Sequence, residues 1–177
     1  MHSRQRAYSL YELLITLGLF TLLLTLGLPS FGNMVANHRM RVEIDTLFHA
    51  IHLARKESVV RRRVVTICPT RDGQNCEPTM DWSIGWMMFV NDDRRHADRR
   101  DPGEPVLRRS KPNIGVRVSA NRRSFSLRST VLRATNGTVV FCDSADRVAP
   151  RALVISYTGR PRVASRDSRG RPYKCAH

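Results

Sequence analysis

Two short segments at opposite ends of the chain hold the residues best suited to do chemistry. Near the N-terminus, Glu12 is the single charge between Tyr8 and Leu28, inside the run YSLYELLITLGLFTLLLTLGL. A carboxylate in an apolar span costs a few kcal/mol to insert, and such acids are kept where a partner charge meets them. Towards the C-terminus stands Gly159-Arg160-Pro161-Arg162, directly after the run ALVISYT. Glycine permits a turn there, and proline holds a semi-extended backbone. In an extended segment residues two apart point to the same side, about 6.6 Å apart. Arg160 and Arg162 would then offer two planar, five-donor forks to neighbouring phosphates.

The surroundings of this second segment are strongly basic. From Arg151 to the C-terminus, Arg151, Arg160, Arg162, Arg166, Arg169, Arg171 and Lys174 face one acid, Asp167. A second stretch, Pro105 to Cys142, carries Arg108, Arg109, Lys111, Arg117, Arg122, Arg123, Arg128 and Arg133 and no acid. The whole chain has 30 Lys+Arg against 15 Asp+Glu, a net charge of +15. Use of arginine over lysine fits a GC-rich genome; the excess of base over acid asks for a polyanionic partner. If these arginines line one face, they make a track for sequence-independent phosphate contact. A solvated basic surface is the competing reading. Base readout is not indicated, since the tail has no recognition helix and no aromatic platform beyond Tyr173.

The other reactive residue types read as structure. Cys68, Cys76, Cys142 and Cys175 all follow the apolar span, and an even count in an oxidising compartment points to two disulfides. Three pairings are open. Cys68 and Cys76 enclose a short turn-forming loop, CPTRDGQNC, which would leave Cys142 with Cys175. A zinc site is disfavoured because no Cys-x-x-Cys spacing or nearby His pair occurs. His49 and His52 follow Asp45 at helical spacing but lack a fourth ligand, so a polar helix flank is expected. The charged segment Asn91–Gly103 lacks the ligand order of a calcium loop and reads as a solvated loop. Trp82 and Trp86 are expected in the core. No nucleophile has a readable base beside it, so no enzyme, metal or cofactor is expected.

These residues must be positioned by an α+β chain. Tyr8 to Leu28 makes about 30 Å of helix, enough to span a hydrocarbon core. Arg4 and Arg6 precede it with no basic residue just after, which keeps the N-terminus cytoplasmic and everything beyond about residue 30 outside. A cleaved secretory signal would need a polar spacer and a small-x-small site, and neither follows the apolar run. The helix is expected to continue, bent or locally melted at Pro29, to about Val60. Met40, Ile44, Leu47, Phe48, Ile51, Ala54 and Ser58 form its apolar stripe, and Arg39, Arg41, Glu43, Arg55 and Lys56 its polar face. Short strands are expected over Val64–Cys68, Ile84–Val90, Val106–Arg109, Val116–Ser119, Ser124–Arg128, Thr138–Cys142 and Leu153–Thr158. Asn136-Gly137 signals a tight turn. A helix laid on an antiparallel sheet gives one small domain.

The order of basic leader, Ala7, Tyr8, Ser9-Leu10-Tyr11 and Glu12 resembles the type IV prepilin signal. Ala7 stands where glycine is usual and Tyr8 where Phe or Met is common; Pro29 falls where many type IV pilins carry a helix-breaking proline. The blocks LARKESVVRRRVVTICPT, WSIGWMMFVND and VVFCD with ALVISYTGRPR are similar to the FimT/GspH branch of type IV pilin-like proteins. The resemblance implies a type IV pilin-like fold in four parts: leader 1–7, membrane or filament-core helix 8–28, amphipathic half-helix 29–62, and a β-rich periplasmic domain 63–177. It implies cleavage between Ala7 and Tyr8 by a prepilin peptidase, with methylation of the new amine. Glu12 would then meet the amine of Tyr8 on a neighbouring subunit. FimT-type proteins linked to natural transformation bear a GRxR motif that binds DNA. Carried over, the DNA-binding residues are Gly159, Arg160, Arg162, Arg166, Arg169, Arg171 and Lys174. The implied protein is an inner-membrane, single-pass minor pilin with a periplasmic domain, surface-exposed when assembled with other pilin subunits. A structural pseudopilin of a type II secretion system, or a pilus-assembly initiator that binds no DNA, is the alternative.

Overall fold

The structure, a computed structural model, describes residues 9–92, 99–111, 114–129 and 134–175, without the side chains of 26–30. Ala7, Tyr8 and Arg133 lie outside the described residues, as do residues 93–98 of the charged segment Asn91–Gly103. The chain divides into two compact units, residues 1–35 and 36–177.

In the first unit, helix α1 (Leu10–Arg61) begins on a cap. Ser9 Oγ accepts the Glu12 backbone N–H at 3.2 Å, and Ser9 O accepts that of Leu13. Ser-x-x-Glu is the sequence form of a capping box, and the N3 carboxylate is favoured by the helix dipole. The Leu, Ile and Phe side chains from Leu10 to Leu24 are exposed all round, from 41% to 77%. The expected span Tyr8–Leu28 falls partly outside the described residues; among those described, no helix is long and apolar enough to cross a membrane. Helical backbone continues through Pro29 without a break, so the expected local melting does not occur. A helix can carry a proline at the loss of one backbone hydrogen bond.

The second unit holds the rest of α1 and eight strands. These are β1 (Val64–Pro69), β2 (Trp86–Asn91), β3 (Val106–Ser110), β4 (Val116–Ala120), β5 (Phe125–Leu127), β6 (Gly137–Asp143), β7 (Arg151–Ile155) and β8 (Pro161–Ala164). They form two four-stranded antiparallel sheets, ordered β3-β2-β1-β5 and β4-β6-β7-β8. Strand β8 is not among the expected strands, although Pro161 and Arg162 read as semi-extended; the sheet pairing is what the sequence does not show. It pairs with β7 through Val154↔Arg162 and Ile155↔Pro161. As the outermost strand it tolerates a residue with no N–H to donate.

One core joins the helix to both sheets. Met40, Ile44, Leu47, Ile51 and Ala54 pack with Val65, Ile67, Trp86 and Leu127 of the first sheet and Val118, Phe141, Leu153 and Ile155 of the second. The stripe read from the helix is the buried one, with Phe48 at its margin. Glu43 departs from the expected polar face and is buried at 8% exposure. Trp82 and Trp86 are in the core as expected; Trp82 packs on Phe125 at 5.3 Å and donates to the Arg122 carbonyl. Asn136-Gly137 makes no hairpin, since β5 and β6 belong to different sheets. Gly137 is needed for close approach: a Cβ there would stand 2.6 Å from Asn121 Oδ1 and 2.8 Å from Phe125. Both disulfides form, Cys68–Cys76 and Cys142–Cys175.

Candidate nucleic-acid interface

The Gly159-Arg160-Pro161-Arg162 segment is the second half of a hairpin joining β7 to β8. Gly159 N–H donates to the Ser156 carbonyl at 2.9 Å, and Ser156 N–H to the Arg160 carbonyl at 3.1 Å. Gly159 has a φ of +71°. A tight turn followed by a left-handed glycine is how three-residue hairpin loops close. The turn is also docked: Ala134 N–H donates to the Tyr157 carbonyl at 3.0 Å, and a Cβ on Gly159 would meet Leu127 at 2.8 Å and Ala134 at 3.3 Å.

Arg160 and Arg162 are both exposed, and among the described residues neither guanidinium has a partner. Arg162 lies opposite Val154, which lies opposite Thr138. Thr138 and Cys142 of β6 are four residues apart and so share a face. Arg162 therefore projects from the same face of the second sheet as Cys142, whose disulfide to Cys175 brings the basic tail there. From strand spacing and rise, the Arg162 and Cys142 backbones are roughly 16 Å apart.

The tail is ordered around its one acid. Asp167 accepts from the backbone N–H groups of Arg169 and Arg171 and from Arg171 Nε at 3.0 Å. Arg166 pairs with Pro172 in a β-bridge and donates to the Gly170 carbonyl. Of the expected contact residues, Arg171 is thus neutralised by Asp167 and Arg166 is turned onto backbone. The side chains of Arg169 and Lys174 are exposed and, among the described residues, have no partner.

The stretch Pro105–Cys142 does not form one track. Arg108 and Arg109 lie on β3 of the first sheet and Arg117 on β4 of the second. Several of its arginines are used internally: Arg109 donates to the Gly73 carbonyl, Arg122 to that of Asn136, and Arg117 pairs with Asp146 at 2.9 Å. Nearby Arg147 is held by buried Asp143 through Nε at 3.1 Å. Arg55 escaped the sequence reading, which placed it on a polar helix face. Its Cδ lies 4.0 Å from where a Gly159 Cβ would stand, so the helix adds a cation beside the hairpin. Arg128 is exposed and follows Leu127, whose side chain lies against Gly159. The approach of Arg55 to Gly159 joins residues far apart in the chain, and no local pattern signals it.

Three carboxylates are held below their usual range. Asp72 is lowered first by the backbone N–H of Asn75 and then that of Gln74, within the Cys68–Cys76 loop. Asp143 is lowered chiefly by its hydrogen bond to the Arg147 side chain, against its own burial. Asp167 is lowered first by the Arg171 backbone N–H, then by the Arg171 side chain and the Arg169 N–H. His49 and His52 are exposed and lie against Phe48, at centroid distances of 5.7 and 4.7 Å. Among the described residues no group of three or more His, Cys, Asp or Glu could hold a metal ion.

Comparison with known proteins bears on the fold. The sequence model of the family described as "Type II transport protein GspH" matches residues 43–159. None of the curated proteins matches the chain. Among solved structures, the type IV minor pilin FimU of Pseudomonas aeruginosa is similar, with 19% identity and a TM-score of 0.53, covering 72% of this chain and 90% of that one. A second crystal form of FimU gives 19% identity and 0.51, covering 70% and 91%. The minor pseudopilin EpsH of the Vibrio cholerae Type 2 Secretion System gives 7% identity and 0.50, covering 71% and 96%.

Two outcomes test the site's architecture. Gly159→Ala should lower the stability of the folded chain by about 1–2 kcal/mol, the strain of a left-handed alanine, with the blocked Cβ position adding to it. Chemical denaturation would show this, and an unchanged midpoint would contradict the docked turn. Because Asp167 is lowered in the folded chain, its contribution to tail order is present above its ordinary pKa of 3.8. It is lost as the pH falls through the lowered folded value. Carboxyl NMR should find the Asp167 midpoint below 3.8; a midpoint at or above that value would deny the hydrogen-bonded turn.

Proposed function

The chain belongs to the GspH family of type II transport proteins, a type IV pilin-like family of minor pilins and pseudopilins, and on that premise we propose that it is a minor type IV pilin that binds DNA. The contact is to phosphates, without sequence preference, and it serves DNA uptake during natural transformation. The observation that carries this reading is the pair of exposed guanidinium groups of Arg160 and Arg162 on a docked hairpin, which have no partner among the described residues. The tail that carries Arg169 and Lys174 supports it, because its Cys175 is tethered to Cys142 on the face that carries Arg162. The family match ends at Gly159, so membership itself is silent about these arginines.

The remaining parts of the reading follow from the prepilin signal. The chain is anchored in the inner membrane by its N-terminal helix, with residues 63–177 in the periplasm, and reaches the surface in an assembled pilus. A prepilin peptidase cuts between Ala7 and Tyr8. In the filament Glu12 leaves its exposed place in the capped first turn and pairs with a neighbouring amine. The apolar side chains exposed from Leu10 to Leu24 are then covered by lipid or by other pilin subunits.

A second reading is favoured by one finding, the likeness to EpsH together with the family's description as a type II transport protein. Here the chain is a structural pseudopilin, and its basic face meets protein partners.

DNA titrations with the full chain in neutral detergent, at several salt concentrations, separate the two. Arg160→Ala with Arg162→Ala should weaken binding and reduce the salt slope by about two phosphate contacts. Equal binding by both proteins, or none near physiological salt, would favour the pseudopilin. Glu12→Leu should remove the chain from sheared pili while leaving leader cleavage intact; undiminished incorporation would exclude the pairing role for Glu12.

A further inference from the structure

Tyr157 has an unusual setting for a tyrosine. It is 69% exposed at the tip of the β7–β8 hairpin, and among the described residues neither its ring nor its hydroxyl has a partner. The backbone beneath it is nonetheless fixed. Its carbonyl accepts from Ala134, Gly159 N–H closes the turn onto Ser156, and the Ser156 and Thr158 hydroxyls bond to each other at 2.8 Å. Arg160 N–H donates to Ser156 Oγ at 3.2 Å, which ties the first arginine to the same turn. An aromatic ring is thus held out in water on a locked base, three and five residues from two unpaired guanidinium groups.

We propose that Tyr157 is a stacking platform for a nucleobase, and that the hairpin tip takes single-stranded nucleic acid in preference to duplex. The proposal rests on the DNA-binding reading above and names the form of ligand. Arg160 and Arg162 hold backbone phosphates, and the ring beside them offers its face to the adjoining base. Stacking of this kind needs no particular base, because every base has a π-face. A duplex keeps its bases stacked on one another and presents only phosphate to the tip; a single strand can turn a base out onto the ring. A locked turn leaves only the side chain, and not the backbone beneath it, to be ordered on binding.

The test compares two labelled probes on the full chain in neutral detergent. One is an oligothymidylate of about 12 nucleotides, the other the same strand annealed to its complement. Tyr157→Ala should lose at least about fivefold in affinity for the single strand, the lower bound of base stacking. Its salt slope and its duplex affinity should not change, because no phosphate contact is removed. Tyr157→Phe, which keeps the ring, should bind as the wild type does. Equal losses on both probes would mean that the ring merely supports the turn, and would overturn the proposal. A silent Tyr157→Ala, in a wild type that binds both probes with dependence on Arg160 and Arg162, would overturn it while leaving the DNA reading intact. A wild type that binds neither probe would remove both.

Discussion

The domain depends on burial of one stripe of α1 against both sheets at once. Met40, Ile44, Leu47, Ala50, Ile51 and Ala54 are each 2% exposed or less, and residues from both sheets complete the same core. Each sheet has only four strands and would be left half-covered without the helix. Small residues at Ala50, Ala54 and Ser58 let the helix lie close, and the larger ones fill the space between the sheets. Burying a large aliphatic side chain contributes about 1.5–3 kcal/mol, so this stripe is a major term holding the two sheets in one unit. It also brings Arg55 to the β7–β8 turn, which puts the helix beside the candidate interface.

Around that core the arginines fall into two populations. One is consumed locally: Arg61 by Glu57, Arg117 by Asp146, Arg147 by Asp143 and Arg171 by Asp167. Others, Arg100 and Arg109 among them, donate to carbonyls and brace the Cys68–Cys76 loop. The exposed pairs among these are worth little in stability, and all of them, the pair on buried Asp143 included, remove charge from the outward field. Asp167, the one acid of the tail, orders its turn and neutralises Arg171 while Arg160 and Arg162 stay unpaired. Net charge alone therefore overstates the basic surface; the arrangement of acids decides which guanidinium groups are left for a ligand.

The Cys142–Cys175 bond gives the tail its place. Among the described residues, 165–175 are otherwise ordered by one β-bridge, the Asp167 turn and the bond from Arg166 to the Gly170 carbonyl. The bond closes a loop of 33 residues, worth about 3–4 kcal/mol in the chain-entropy account of a disulfide. Its anchor is a buried cysteine on a central strand, so the end of the tail is held on the side on which Arg162 stands. The family match covers the C-terminal part of α1 and strands β1 to β7. The arginine motif and the tethered tail belong to this chain's own C-terminal residues.

Much of the fold was legible in local patterns. Three- and four-residue spacing identified the buried helix stripe, runs of β-branched and aromatic residues located most strands, and the turn-rich loop between Cys68 and Cys76 indicated the disulfide pairing. The Gly-Arg-Pro-Arg segment stood out by residue type. Other features were not legible because they are set by long-range contact. Pro161–Ala164, semi-extended by its own residues, became a strand because β7 offered a free edge to pair with. The division into two sheets, the burial of Glu43, and the meeting of Arg55 with Gly159 depend on partners distant in the chain. Residue types and their periodicity, which follow from the geometry of a single helix or strand, were determined by the sequence alone. Which strands paired, and which arginines kept a free charge, were decided by the tertiary structure, because both depend on collective burial and on the position of every acid in space.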